Sequence, residues 1–279
     1  MPAHADPYRA IDRQPDPEQY ATFLEARGST PSQVRLRRRF LRFCGIRPGW
    51  RVLEVGSGTG VLSRDVAAMV GRRGRVVGVD PSRVFVSAAR RLAREHGLDG
   101  RVHFRVGDGA RLRVPANRFD CALAVTVLLH VPNAGAIVRE LARVTKPGGV
   151  VGVQDQDLGS LVLDHPDRAL TRRILDGVAA RTVVEPWSGR TLVGQLIEAG
   201  LARVRLITDV FQDTTLTPFT RSMLERRAEN AVRFGLTSAR GAARWLEAIE
   251  RLAAERRFVF TLNFYGATGI KPASSGGSR

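Results

Sequence analysis

Five short apolar segments alternate with stretches of helical periodicity through the first half of the chain. Val52, Leu53 and Val55 form the first, and residues 75–80, 101–106, 119–126 and 149–155 form the others. Continuous, β-branched runs of this length predict buried parallel strands. Between them, Ser82 is placed to cap a helix that reaches His96 and stops at Gly97. Asn133 is placed to cap another that ends near Lys146-Pro147-Gly148-Gly149. Ahead of the first strand, residues 18–45 predict one or two helices joined around Gly28-Ser29-Thr30-Pro31, where Thr30-Pro31 has the form of a helix start.

The second half continues the alternation. Leu170, Ile174, Leu175 and Val178 make one helical stripe, and Leu192, Val193, Leu196 and Ile197 make another that stops at Gly200. Residues 202–211 read as a strand, 218–256 as mostly helix and 258–265 as a last strand. Strands alternating with helices predict an α/β fold, a sheet with helices on both faces. Residues 1–14 and their prolines predict no regular structure, and the Ser/Gly-rich 271–279 predicts a disordered tail.

The first segment ends in Gly56-Ser57-Gly58-Thr59-Gly60, with a helical pattern following at once. A strand, a tight glycine turn and a helix let a ligand press against bare backbone at the carboxyl end of a sheet. The spacing is G-x-G-x-G; the dinucleotide fingerprint needs glycine where Val61 stands. A ligand without a pyrophosphate is therefore favoured. Asp80 ends the second strand, 20 residues beyond Gly60, where a carboxylate can accept both hydroxyls of a ribose. Gly107-Asp108-Gly109 puts a second acid on the same rim.

In order and separation, "VLEVGSGTG", "VVGVDPS", "GDGARL", "FDCALAVTVLLHVPN" and "KPGGVVGV" resemble the class I S-adenosylmethionine-dependent methyltransferases, and among them the small-molecule group that includes the quinone-biosynthesis enzymes. The likeness covers residues 46–155 well and the remainder only in element order. It implies a Rossmann-like sheet of seven mostly parallel strands with an antiparallel last strand, helices on both faces and a helical cap. It implies S-adenosylmethionine as cofactor. Gly56, Ser57, Gly58, Thr59 and Gly60 would pack against its ribose and amino-acid portion, with Glu54 as an orienter. Asp80, followed by Pro81 and Ser82, would hold the ribose. Asp108 and Gly109 would meet the adenine, and Val125 and Thr126 the methionine part. Each has a plainer alternative: Glu54 as an acceptor of backbone N–H groups, Asp80 as a turn or cap acid, Asp108 as a turn residue, Thr126 as a strand end.

A catalytic base is less sharply marked. His130 lies just past the fourth strand and suits proton removal near neutrality, though a structural histidine reads equally well. Asp155 belongs to Gln154-Asp155-Gln156-Asp157 after the fifth strand, where at most one of the two carboxylates is expected to face a substrate. Tyr20, Gln154, Trp187 and Phe264 are pocket candidates, with Phe211, Phe219 and Trp245 as further aromatics that core packing also explains.

Composition narrows the classes. The chain has 279 residues, a net charge of +17 and two cysteines, Cys44 and Cys121, too few for a disulfide framework or a Cys-rich metal site. No metal site is expected, since no acidic cluster of ligand spacing stands out. No long apolar run or signal-peptide core is present, so a cytoplasmic protein is expected. Only Lys146 and Lys271 are lysines, and the arginines are scattered through nearly every segment, which fits a compositional bias better than a nucleic-acid stripe. The exception is residues 35–42, where Leu36, Phe40, Phe43 and Cys44 share a helix face and arginines fill the rest. The expected organisation is a helical lid over 1–45, a methyltransferase domain over 46–270 with a helical insertion at about 217–256, and the tail. The expected partner is a small-molecule acceptor, methylated on O, N or C. An RNA methyltransferase using the basic helix, a quinone-precursor C-methyltransferase and a non-catalytic cofactor binder stand as alternatives. Oligomeric state is left open, a homodimer being one option.

Overall fold

Residues 6–273 are described by a computed structural model of the chain. The expectations for residues 1–5 and 274–279 lie outside the described residues. The described residues begin with a 3-10 helix, Pro7–Arg13, followed by α1 (Pro17–Ser29) and α2 (Pro31–Phe43). Then come β1 (Arg51–Val55), α3 (Val61–Val70), β2 (Arg75–Asp80), α4 (Arg83–Glu95), β3 (Val102–Val106) and β4 (Phe119–Val125). They are followed by α5 (Ala134–Val144), β5 (Thr145–Gln156), β6 (Val162–Leu163), α6 (Arg168–Thr182) and α7 (Ser188–Glu198). β7 (Ala202–Asp213), α8 (Pro218–Arg233), α9 (Ala239–Ala254) and β8 (Phe260–Ile270) complete the order.

The sheet runs β3-β2-β1-β4-β5-β8, with β7 on the far edge of β8. β1 to β5 pair in parallel, and β8 is antiparallel to both β5 and β7. This is the expected seven-strand width with a reversed last strand. The eighth strand, β6, is two residues long. It pairs with Phe260 and Thr261 on the edge of β8 that β5 occupies further along, so it prolongs that edge without widening the sheet.

Local chemistry explains the boundaries. Thr30 caps α2 with Pro31 in its first turn, Ser82 caps α4 and Asn133 caps α5. Residues 7–13 are not irregular as the prolines suggested. Asp6 accepts the Tyr8 N–H, Pro7 occupies the first turn, where its fixed φ fits, and Ile11 is buried beneath. β5 starts at Thr145, four residues before the expected Gly149, because Thr145 pairs with Phe119. β8 likewise runs past Tyr265 to Ile270, paired with Val150.

Alternation along β1 sends Val52 to one face of the sheet and Leu53 and Val55 to the other. Val52 packs with Phe40, Leu41, Leu62, Val66 and Val86 from α2, α3 and α4. Leu53 and Val55 pack with Leu128, Ile137, Leu141, Leu192 and Leu196. Gly152 and Gly266 leave the sheet bare where Phe40 lies on it. A separate core, with Ile174, Leu175, Leu224, Trp245 and Phe258, joins α6, α8 and α9 beyond the carboxyl ends of the strands. Among the described residues, no helix is long and apolar enough to cross a membrane, and no cluster of three or more His, Cys, Asp or Glu could hold a metal ion.

Candidate active site

The turn after β1 has left-handed backbone at Gly56 (φ +68°), Gly58 (φ +51°) and Gly60 (φ +82°), conformations that a side chain would strain. The first two also present bare backbone to a cavity. A Cβ on Gly56 would lie 2.3 Å from the Val127 side chain, and one on Gly58 would lie 3.0 Å from Leu24, because α1 crosses above the turn. Gly60 serves packing instead: a Cβ there would meet Phe104 at 2.5 Å. Gly109 does the same against Val55 at 2.3 Å. Neither glycine borders the cavities that Gly56 and Gly58 line.

Asp80 stands beside the turn at the end of β2. Its Oδ2 accepts the Gly58 N–H (2.8 Å) and its Oδ1 accepts the Ser82 N–H (2.9 Å). Burial pushes its carboxyl up to about 6, against the pull of those two bonds. Each oxygen keeps a lone pair for a further donor. Ser82 faces away from the cavity. Its hydroxyl donates to Asp12 of the 3-10 helix and accepts the Phe85 N–H as a cap.

Below the turn lies a small chamber lined by Glu54, Ser57, Thr59, Val125, Thr126 and Gln154, and roofed by Leu24, Arg27 and Gln33 of the N-terminal helices. The Ser63 hydroxyl donates to Glu54 Oε2 (2.5 Å), and burial pushes the Glu54 carboxyl up to about 8, with Asp80 adding to the rise. Among the described residues, Ser57 Oγ, Thr59 Oγ1 and Gln154 Nε2 are buried without a hydrogen-bond partner. A buried polar group left unpaired costs about 1–3 kcal/mol. Orphaned groups beside a glycine cradle fit a polar ligand such as a nucleoside carrying an amino acid. Thr126 adds a backbone outlier that its β-branched side chain makes costly, φ +55°, held by its N–H bond to the Gln154 carbonyl (2.7 Å).

The chamber's rim residues Gly56, Gly58, Thr126 and Phe264 also border a cavity of about 840 Å³. At the sheet end Asp80, Pro81, Phe85 and Asp108 line it. Further out the walls are Phe211, Phe219, Phe260 and Leu262, with Tyr8, Tyr20 and Phe23 above. Phe85, on the first turn of α4, was not visible in the motif.

His130 reaches the same cavity from the 3-10 turn Leu128–His130 that follows β4. Its Nδ1 lies 2.8 Å from Asp6 Oδ2, and its ring packs 4.8 Å from that of Tyr8. With Nδ1–H donated to the carboxylate, Nε2 carries the free lone pair. Asp155 does not join it. Alternation along β5 turns Gln154 and Gln156 toward the cavity and sends Asp155 and Asp157 to the opposite face. There Asp155 accepts Ser188 Oγ–H (2.7 Å) and the Leu129 N–H (3.0 Å), and burial pushes it up to about 6. It therefore holds the His130 turn, with its Oδ1 left without a hydrogen-bond partner among the described residues. Asp157 pairs with Arg190 (2.6 Å). Trp187 is also outside the cavity: it is 55% exposed and stacks on Arg190. Trp245 is a core residue bonded to Thr171.

Residues 52–149 match a family profile described as a methyltransferase domain. An uncharacterized 37.1 kDa protein in transposon TN4556 of Streptomyces fradiae is 35% identical over 207 residues, 72% of this chain and 58% of that protein. The ubiquinone/menaquinone biosynthesis C-methyltransferase UbiE of Vibrio cholerae is 36% identical over 116 residues, 41% of this chain and 45% of its own length. The chain thus spans about half the length of these two relatives. Among solved structures, the [4+2]-cyclase SpnF superposes with a TM-score of 0.55 at 25% identity, covering 88% of this chain and 85% of that one.

Proposed function

We propose that this chain, which belongs to the class I S-adenosylmethionine-dependent methyltransferases, transfers a methyl group to O, N or C of a small, partly apolar metabolite. The observation that carries the reading is one cavity with two unlike ends. The glycine turn, Asp80 and Asp108 make a polar rim at the sheet, and Phe211, Phe219 and Phe260 make an apolar wall opposite.

When bound, S-adenosylmethionine supplies an electrophilic methyl on a sulfonium. Gly56 and Gly58 would offer bare backbone to it, Asp80 a carboxylate to its ribose, and Asp108 an acceptor to its adenine. Ser57, Thr59 and Gln154 would give it the hydrogen bonds they lack, with Glu54 beside its amino-acid end. The aromatic wall then aims the acceptor atom. Holding two reactants in line supplies on the order of 7–11 kcal/mol of a barrier. His130 Nε2 is the group placed to take a proton from an O–H or N–H acceptor, with Asp6 fixing the ring. The 3-10 helix and α1 act as a lid that keeps water from the methyl group.

The test is methyl transfer from labelled S-adenosylmethionine across panels of phenols, amines, carboxylic acids and quinone precursors, with transcribed RNA as a separate arm. Turnover of a small acceptor supports the reading; turnover of RNA alone, weakening steeply with salt, overturns it. RNA is disfavoured because Arg37 and Arg39 on the basic helix are paired with Asp65 (2.6 Å) and Asp209 (2.9 Å). The likeness to SpnF favours a second reading, a cofactor-binding protein whose chemistry is not transfer. Tight cofactor binding with no turnover of any acceptor is its signature.

A further inference from the structure

We infer that the acceptor carries an anionic group, a carboxylate or a phosphate, which the guanidinium of Arg227 receives at the end of the cavity remote from the glycine turn. The inference deepens the methyltransferase reading and rests on it.

On α8, Met223, Arg226, Arg227, Asn230 and Arg233 recur at i, i+3, i+4, i+7 and i+10, one helix face, and all line the large cavity. None of the three arginines has a carboxylate within ion-pair distance among the described residues. Arg226 lies over the Phe23 ring, 3.9 Å from its centroid, and so is held to α1. Arg227 is the exception in kind: its Nε is cut off from solvent and makes no hydrogen bond among the described residues. The cavity's carboxylates are Asp80 and Asp108, both on the sheet rim, and Asp80 already serves two N–H groups.

Two other arginines near the glycine turn are paired. Arg37 pairs with Asp65 and Arg64 with Glu25, each at 2.6 Å. A guanidinium does not escape by losing its proton: burial lowers Arg227 only to about 10, so it is charged at neutrality. A charge kept without a counter-ion costs folding stability, and an anionic ligand group would supply the missing partner. The planar fork suits a carboxylate or phosphate, and the phenylalanines lining the same cavity suit an apolar body on the same molecule. The cofactor's own carboxylate is not that partner. Arg27, which lines the small chamber at the glycine turn, is placed to meet it, whereas Arg227 does not border that chamber.

The probes are 2-naphthoate, 2-naphthyl phosphate and 2-naphthamide, titrated calorimetrically into full-length protein saturated with S-adenosylhomocysteine. At least one anion should bind about ten-fold or more tighter than the neutral amide, a gap of about 1.4 kcal/mol. The tighter of the two anions identifies the group. Arg227→Gln should bring that anion to the level of the amide and leave S-adenosylhomocysteine affinity unchanged. Arg227→Met should raise the Tm of the ligand-free protein by removing an uncompensated charge. Anions that bind no better than the amide, binding by none of the three, a preference that survives Arg227→Gln, or a lowered Tm in Arg227→Met would each overturn the inference. Failure of the wild-type protein to bind S-adenosylhomocysteine removes the cofactor reading and this inference with it. Normal cofactor binding without anion preference removes this inference alone.

Discussion

His130 and Asp6 stand 124 positions apart in the chain, and Nδ1 of the one lies 2.8 Å from Oδ2 of the other. The contact ties the start of the described chain to the turn after β4. It fixes which imidazole nitrogen is free. If that nitrogen removes the acceptor's proton, His130→Gln should lower kcat by about 10²–10⁴-fold. Asp6→Asn should lower it less, with KM little changed, since the amide still positions the ring. Steady-state rates on the identified acceptor check this; full activity in both variants makes His130 a packing residue.

Asp80 holds the turn as well as facing the cavity. Removing its carboxylate frees the Gly58 N–H and takes away the ribose acceptor together. Asp80→Ala should weaken S-adenosylhomocysteine binding by about 1–3 kcal/mol, measured by calorimetry. Asp80→Asn, which keeps one acceptor oxygen, should lose less. Unchanged affinity in both would remove Asp80 from the site.

The strands, the glycine turn and the caps at Thr30, Ser82 and Asn133 are legible because each depends on neighbours within a few residues. Side-chain direction at the ends of strands is less so. Gln154 and Asp155 are adjacent, and only the register of β5 against β4 and β8 decides that the amide faces the cavity. Gly60 and Gly109 carry the motif's glycines, yet Phe104 and Val55 claim the space above them. The Asp6–His130 pair and the α8 arginines are long-range: no periodicity announces a partner 124 residues away or an arginine left without one.

Gly58→Val tests the cradle. Its φ of +51° strains any L side chain, and its Cβ would meet Leu24 Cδ1 at 3.0 Å. The variant should keep a native circular dichroism spectrum and lose S-adenosylhomocysteine binding. Adding Leu24→Ala should not restore binding, because the backbone strain and the filled cradle remain. Restoration would reduce the effect to a clash with α1.

Glu54 gives the unliganded protein a pH signature. Its carboxyl is raised to about 8 in the folded state, above the ordinary carboxylate range. Its contribution to stability is therefore fully present below about pH 4.5 and is lost as pH rises through 8. Asp80 and Asp155, raised to about 6, act in the same direction over the lower part of that window. Stability should fall with pH across this range, by up to about 1.4 kcal/mol per pH unit for each proton released. Glu54→Gln should flatten the fall above pH 6 in denaturant titrations. Superimposable wild-type and Glu54→Gln profiles would contradict the buried, protonated acid.

The most direct test is a crystal structure with S-adenosylhomocysteine bound. The account predicts its amino-acid portion in the chamber with Ser57, Thr59 and Gln154, its ribose on Asp80, its adenine beside Asp108, and its sulfur facing the cavity bounded by Tyr20 and Phe264. Density for the ligand anywhere other than against Gly56 and Gly58, or with its sulfur turned from that cavity, would contradict it.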